Sequence, residues 1–294
     1  MVKRTIEVSP AHIFFEEPLP YFVNRVEESY ELHFHAHEFT EICYVGEGGG
    51  FHYIEDKTVP VSRGDLFILP LGTSHVFRPF SPNGRTPLVV YNFIFVAQRV
   101  AETLRHWPEL TASLETRQLL NLEHGQSEWR HIRDTSGAFH TFFTDAYREF
   151  RLRQTGFVPR MHALFIVLLT EIERHLEAAG GNRAPGAAHR LIGNALALIH
   201  RTDASGITAA RAAEASQMSE RHFHRVFVKA TGFTFNQYVQ NARIERSCDL
   251  LRTTRMTVSE IVEAIGYQDK GYFLELFKRK TGQTPRAYRD GSNN

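Results

Sequence analysis

Cysteine is scarce in this chain: two in 294 residues, Cys43 and Cys248, 205 positions apart. That excludes a disulfide framework and a thiolate metal cluster, and it fits a reducing compartment. Long apolar runs are missing as well. The longest, Ala163 to Leu169, has seven residues, against about 20 needed to span a bilayer. The opening MVKRTIEVSPAHIFFEE has basic residues but no apolar core of a signal peptide. The expectation is a soluble, cytoplasmic protein with no membrane partner. Net charge is also small, at +1. With 42% apolar and 23% charged residues, the chain is neither disordered nor fibrous. Its length allows about two domains.

The small net charge hides a division. Residues 1–185 hold 18 basic and 23 acidic groups, whereas residues 186–294 hold 16 and 10. A basic C-terminal third on an acidic remainder suggests that the tail faces a polyanion; an accidental surface bias is the alternative. Composition divides the chain in a similar place. From Tyr30 to about Phe95, stretches such as EICYVGEG, GFHYIED and LVVYNFIFV are punctuated by Gly and Pro, which predicts a small sandwich or barrel. Residues Ala101 to Arg133 read as mixed helix and loop. Phe139, Phe142, Phe143, Tyr147 and Phe150 recur near the helical period, and a second helix is expected from about Arg160 to Leu176. The breaker-rich AAGGNRAPGAA (178–188) is the expected linker.

The last third contains a repeat. TAARAAEAS (208–216) and SERHFHRVFVKATG (219–232) return as TVSEIVEAIG (257–266) and KGYFLELFKRKTG (270–282). Ala213 matches Val262, Gln217 matches Gly266, Phe223 and Phe227 match Phe273 and Phe277, and Thr231-Gly232 matches Thr281-Gly282. A short helix, a tight turn and an aromatic-anchored second helix form the helix-turn-helix pattern, in which the second helix enters a major groove. With each Phe pair facing the core, Glu220, Arg221, His224 and Arg225 turn outward in the first unit. Lys270, Gly271, Leu274 and Glu275 do so in the second. Arg, His and Glu suit base edges, and Leu suits a thymine methyl. Lys278, Arg279 and Lys280 suit phosphates. A helical bundle with a solvated polar face is the bland alternative.

At these residues the chain resembles the DNA-binding domain of the AraC/XylS family of bacterial transcription regulators. RIERSCDLLRTTRMTVSEIVEAIGYQDKGYFLELFKRKTGQTPRAYR (243–289) carries most of the likeness, and MSERHFHRVFVKATGFTFNQYV (218–239) resembles the first reading unit. The likeness covers about a third of the chain. It implies two helix-turn-helix subdomains joined by the helix around Arg243 to Leu251, contacting successive major-groove segments. The closing motif falls on Thr281, Gly282, Thr284, Pro285, Tyr288 and Arg289, implying backbone positioning, with Arg289 on the DNA side. Gln268 stands where the family commonly has a capping Ser or Asn, so Asp269 is expected to take over the cap. Gly271, Leu274 and Val262 also depart from the pattern, which leaves the base contacts of the second helix open.

In the strand-rich part, HFHAHEFTEICYVGEG holds His33, His35, His37 and Glu41, and GDLFILPLGTSHVF supplies His75. In a strand His35 and His37 share a face. His35, His37, Glu41 and His75 are an adequate set for a divalent metal such as Zn, Fe, Mn or Ni. The same groups could instead bond the hydroxyls of a small polar ligand, or be structural. Arg25 and Tyr44 are further pocket candidates, together with one of His52 and Tyr53, which alternation turns to opposite faces. The pattern resembles the cupin family: His35, His37, Glu41 and Gly48 match its first motif, and Gly64, Pro70, Gly72 and His75 its second, with Pro79 at the usual Asn. The same barrel is the effector-binding half of many AraC-family regulators, and the order of parts resembles the rhamnose regulators in particular.

The implied fold class is α+β: an N-terminal cupin-like β-barrel with following helices, then an all-α domain with two helix-turn-helix subdomains. The expected division is a barrel at 1–100, a helical extension at 101–178, a linker at 179–188 and the DNA-binding domain at 189–294. The expected function is a ligand-responsive, sequence-specific transcription regulator of carbohydrate-utilisation genes, without enzyme activity. The expected partners are promoter DNA, a sugar effector, RNA polymerase and a second copy of the chain. The Leu164, Leu168, Ile172, Leu176 stripe is the candidate dimer interface, or else it packs within the chain. No cofactor is required, and a divalent metal in the barrel is the alternative. Two rivals stand beside this reading: a constitutive DNA-binding protein whose barrel only dimerises it, and a metal-dependent cupin enzyme.

Overall fold

The computed structural model describes residues 7–15, 19–55, 57–80, 87–111, 114–122, 128–179, 191–201 and 206–291. The strands are β1 (Glu7–Ser9), β2 (Tyr21–Glu27), β3 (His35–His37), β4 (Thr40–Glu47), β5 (Gly49–Ile54), β6 (Lys57–Ser62), β7 (Asp65–Leu69), β8 (His75–Pro79), β9 (Val89–Phe95) and β10 (Arg130–Arg133). They form two five-stranded sheets, ordered β1-β3-β8-β5-β6 and β10-β7-β4-β9-β2. Cys43, Val45, Phe67, Phe77 and Val90 meet between the sheets. Every residue of β4 from Thr40 to Gly46 is buried, because both faces of its sheet are covered.

Two helices cover the outer face of the second sheet. They are α3 (Ala138–Leu152) and α4 (Phe157–Ala179), preceded by α1 (Ala97–Leu104) and α2 (Leu114–Leu119). Ile42, Tyr44, Phe93 and Phe95 from the strands pack there against Phe139, Phe143, Phe165 and Leu168. Two expectations need correction, and a third, left open, resolves toward packing within the chain. The strand region starts before Tyr30, at β1 and β2. The sheet is not complete by residue 100, since β10 pairs with β7. The leucine stripe of α4 is largely spent inside the chain, with Leu168 and Ile172 fully buried. Helix α4 ends at Ala179, and the rest of the expected linker lies outside the described residues.

The tail follows as α5 (Gly193–Arg201), α6 (Ala209–Ala215), α7 (Glu220–Thr231), α8 (Phe235–Thr253), α9 (Val258–Ala264), α10 (Lys270–Thr281) and α11 (Pro285–Gly291). Each reading unit is punctuated by the same devices. Thr208 and Thr257 cap the first helices, and Ser219 and Asp269 cap the second. The turns place Gln217 at φ 54° and Gly266 at φ 77°. That is why a Gly answers a Gln across the repeat: the turn requires the left-handed region, which Gly enters without a Cβ clash.

The tail packs on the outer face of the first sheet. Phe51, Tyr53 and Val76 join Phe223, Phe227 and Tyr238 in one buried cluster, and Tyr30 joins Ile244, Leu251 and Tyr288 in another. The layers are therefore tail, sheet, sandwich interior, sheet and helices.

Candidate functional site: a histidine pocket and two reading helices

Strand parity decides what faces the interior of the sandwich. On β8, His75 and Phe77 point inward while Val76 and Arg78 point toward the tail. On β5, His52 turns inward and Tyr53 toward the tail. The interior is apolar at one end and hollow at the other. The hollow is a cavity of about 440 Å³ whose polar walls include Asn24, Glu28, Glu31, His35 and Asn92, together with the cluster of His37, Glu41 and His75. That volume suits a small molecule. No Lys or Arg lines it among the described residues.

At the floor, three groups converge. His37 Nε2 lies 3.0 Å and His75 Nε2 2.9 Å from the same Glu41 oxygen, Oε2. The far nitrogens are already engaged, His37 Nδ1 with the Phe39 carbonyl at 2.8 Å and His75 Nδ1 with His52 Nε2 at 2.9 Å. A carbonyl only accepts, so His37 carries its proton on Nδ1. Its Nε2 lone pair then confronts a carboxylate unless a positive charge sits between them. A proton on His37 supplies that charge. Burial opposes it, but the hydrogen bond to Glu41 and the Glu41 charge hold the His37 pKa above its ordinary value. Burial raises Glu41, yet hydrogen bonds from both histidines hold it well below the usual carboxylate range. Burial pushes His75 down to about 4, so it stays neutral.

A divalent cation would supply the same charge. His37 Nε2, Glu41 Oε2 and His75 Nε2 are the three atoms that would hold it, all within 4.8 Å of one another, with the second nitrogens braced as metal-bound histidines usually are. When bound it would act as a Lewis acid toward a ligand oxygen.

The sequence-selected pocket residues separate into two groups. His35, His37, Glu41 and His75 line the cavity. His35 stands outside the converging trio: its Nδ1 bonds the His33 carbonyl at 2.8 Å. Tyr44 and Arg25 are not at the cavity. Tyr44 stacks on Phe143 at 5.2 Å and donates to Asp134 on the helix side, while Arg25 pairs with Glu47 at 3.2 Å. Parity causes both misplacements. Glu41 and Tyr44 are three apart on one strand, and Arg25 alternates with the inward Asn24 and Val26. Sequence reasoning missed Asn24, Asn92, Glu28 and Glu31. Asn24 and Asn92 are direct cross-strand partners, each with a buried Oδ1 lacking a hydrogen bond. An Asn within the apolar run VVYNFIF was the available signal.

Glu28 makes a testable consequence. Burial raises its pKa to about 8, Arg78 opposing and Glu41 adding to the rise. The folded chain therefore keeps a proton that the unfolded chain loses above about pH 4.5. The stabilising contribution is complete below that pH and declines as pH rises to about 8. Glu28→Gln removes this slope. Its melting temperature is expected to exceed that of the wild type by about 3 °C or more at pH 8 and to match it near pH 4.5, read by calorimetry. A constant difference across the range would reject the assignment.

The second element of the site is the pair of reading helices. On α7, Phe223 and Phe227 are buried, and Glu220, Arg221, His224 and Arg225 are exposed. On α10, Phe273 and Phe277 are buried, and Lys270, Gly271, Glu275, Lys278 and Arg279 are exposed. Leu274 is half-buried against the core of its own unit. Arg289 is directed inward: its guanidinium donates to the carbonyls of Leu251 at 3.0 Å and Met256 at 2.6 Å, so it braces α8 and the following turn instead of reaching out. Two further exposed side chains escaped the sequence reading. His222 Nδ1 sits 3.2 Å from Arg225 Nη2, and the Tyr272 hydroxyl accepts from Gln240 at 2.9 Å.

Comparison with known proteins matches residues 23–135 to the AraC-like ligand binding domain and residues 212–291 to a helix-turn-helix domain. The HTH-type transcriptional activator RhaR of Cronobacter sakazakii is 28% identical over 255 residues, 87% of this chain and 86% of that protein. The activator of the same name from Escherichia coli is 25% identical over 256 residues, 87% and 86% of the two chains. Among solved structures, the C-terminal domain of the response regulator yesN from Fusobacterium nucleatum is 31% identical, covering 35% of this chain and 97% of that one, with a TM-score of 0.32.

Proposed function

We propose that this chain, an AraC-type transcription regulator in which an AraC-like ligand-binding domain is joined to a helix-turn-helix domain, switches promoter DNA binding in response to a neutral, polyhydroxylated small molecule held in the histidine pocket. The carrying observation is the chemistry of the cavity wall. Carboxyl, imidazole and amide groups offer many donors and acceptors, and Lys and Arg are absent among the described lining residues. An anionic effector would meet carboxylates with no Lys or Arg among the described lining residues to offset them, the His37 charge being already matched by Glu41. A sugar would satisfy the unpaired oxygens of Asn24 and Asn92. The relatives named RhaR are transcriptional activators, which supports activation and with it recruitment of RNA polymerase, while the hydroxyl-bonding cavity supports carbohydrate genes as the target. Arg225 and its neighbours on α7 read bases, and Lys278 and Arg279 on α10 seat the helix on phosphates. Two copies reading paired half-sites would extend the sequence read, through a surface other than the buried stripe of α4.

The test is a thermal-stability screen of the full chain against neutral aldoses, matched uronates and sugar phosphates. A neutral sugar present at about 100 times its Kd is expected to add about 2.7 kcal/mol, and its charged counterparts nothing. Stabilisation by the anions alone would overturn the effector class. Genomic mapping of bound sites with and without the active sugar then gives the target genes, and identical maps would favour a constitutive binder.

A further inference from the structure

We propose that Arg78 is a positioning residue that couples the histidine pocket to the second helix-turn-helix unit, through the strap Ser29–Leu32 that its guanidinium holds against α8 and α11. The proposal rests on the regulator reading above. Three observations lead to it.

The first is the place of Arg78 on β8. His75 points into the pocket, and three residues later Arg78 points out of the sandwich toward the tail. Arg78 is fully buried. Its Nε and Nη2 donate to the two oxygens of Glu245 on α8, at 2.8 and 3.2 Å.

The second is what the remaining nitrogen does. Nη1 donates to the carbonyls of Ser29 at 3.0 Å and Leu32 at 2.7 Å. One rigid fork thus ties the tail to both ends of a four-residue strap. Only a guanidinium presents donors in this fixed planar array; an ammonium is a single point with three donors.

The third is that the strap has two working faces. Glu31 and Leu32, with the flanking Glu28 and His33, line the cavity. Tyr30 turns the other way. Its ring lies 5.4 Å from the Arg78 guanidinium carbon, and its hydroxyl donates to the Pro79 carbonyl at 3.3 Å. Its own carbonyl accepts from the Tyr288 hydroxyl of α11 at 2.7 Å, and the side chain is buried with Ile244, Cys248 and Leu251. A molecule in the cavity meets Glu31 and Leu32, and any shift it imposes moves the carbonyls that Arg78 and Tyr288 hold. A buried ion pair contributes little net stability compared with apolar packing, so fixing the arrangement of the two halves is the role that suits its position.

Coupling is reciprocal, so DNA on the reading helices must alter the strap. The experiment measures hydrogen exchange of the amides of residues 29–34 in the full chain, with and without a duplex that the chain has selected from a random-sequence pool. In the wild type, DNA is expected to change strap exchange by about 5-fold or more, within the usual range of site-to-site coupling. Arg78→Lys keeps a charge beside Glu245 but loses the fork, and Tyr288→Phe removes one hydroxyl. Both are expected to bind DNA and to lose most of that change. A silent strap in a wild-type chain that does bind the duplex would overturn the proposal alone, as would an undiminished response in Tyr288→Phe. No duplex binding by the wild type at low salt would instead overturn the regulator reading itself.

Discussion

Phe227→Ala is expected to cost about 3–5 kcal/mol, the range for deleting a buried aromatic ring and leaving a cavity. Phe227 is fully buried. It packs against Phe223 at 5.2 Å, Phe235 at 5.7 Å and Tyr238 at 5.4 Å. The same cluster includes Phe51 and Val76 of the first sheet, so the loss should loosen both the first reading unit and its seat on the sandwich. Chemical denaturation measures the cost, and duplex binding at 37 °C should fall with it. Val228→Ala, one position on and 43% exposed, is the control and should stay within about 0.5 kcal/mol of the wild type. Equal effects from the two would mean that the aromatic brace does not hold the reading helix.

The second large effect is on salt. Arg221, Arg225, Lys229, Lys270, Lys278 and Arg279 are exposed along α7 and α10. If about six phosphates are neutralised, the logarithm of the binding constant should fall with the logarithm of salt at a slope near −5, a loss of about 10³ between 50 and 200 mM. Fluorescence titration of a labelled duplex gives the slope. A slope near zero would mean that these cations face something other than a nucleic-acid backbone.

Much of this was legible in the sequence because helix period and cap chemistry are local. The repeat at offsets of 49 and 50 placed both reading helices, and the Phe pairs fixed which side faces out. Asp269 takes the cap, its carboxylate accepting from the Tyr272 amide at 3.0 Å, as the missing Ser or Asn required. The pocket was half legible. His35 and His37 share a face, as alternation demands. Where both faces of a strand are buried, however, the apolar pattern no longer reports which face is which. Tyr44 on β4 was therefore assigned to the wrong side, whereas Arg25 was drawn inward by its charge although it stands exposed on β2 beside the inward Asn24. Arg289 was drawn outward by its charge, although the carbonyls left open at the end of α8 and beyond it were a nearer partner. Nothing local could have revealed Arg78 beside Glu245, since the two are 167 residues apart. Only the docking of the tail brings them together.

The central claim is that α7 and α10 read DNA, α7 by base edges and α10 through phosphates. The measurement that tests it most directly is binding of the full chain to a panel of single-base variants of its selected duplex, for the wild type, Arg225→Ala and Lys278→Ala. Arg225→Ala should lose about 1–3 kcal/mol of discrimination at one base pair and little elsewhere, whereas Lys278→Ala should weaken every variant by a similar factor. An even loss across the panel for Arg225→Ala, or no loss for either substitution, would contradict the account.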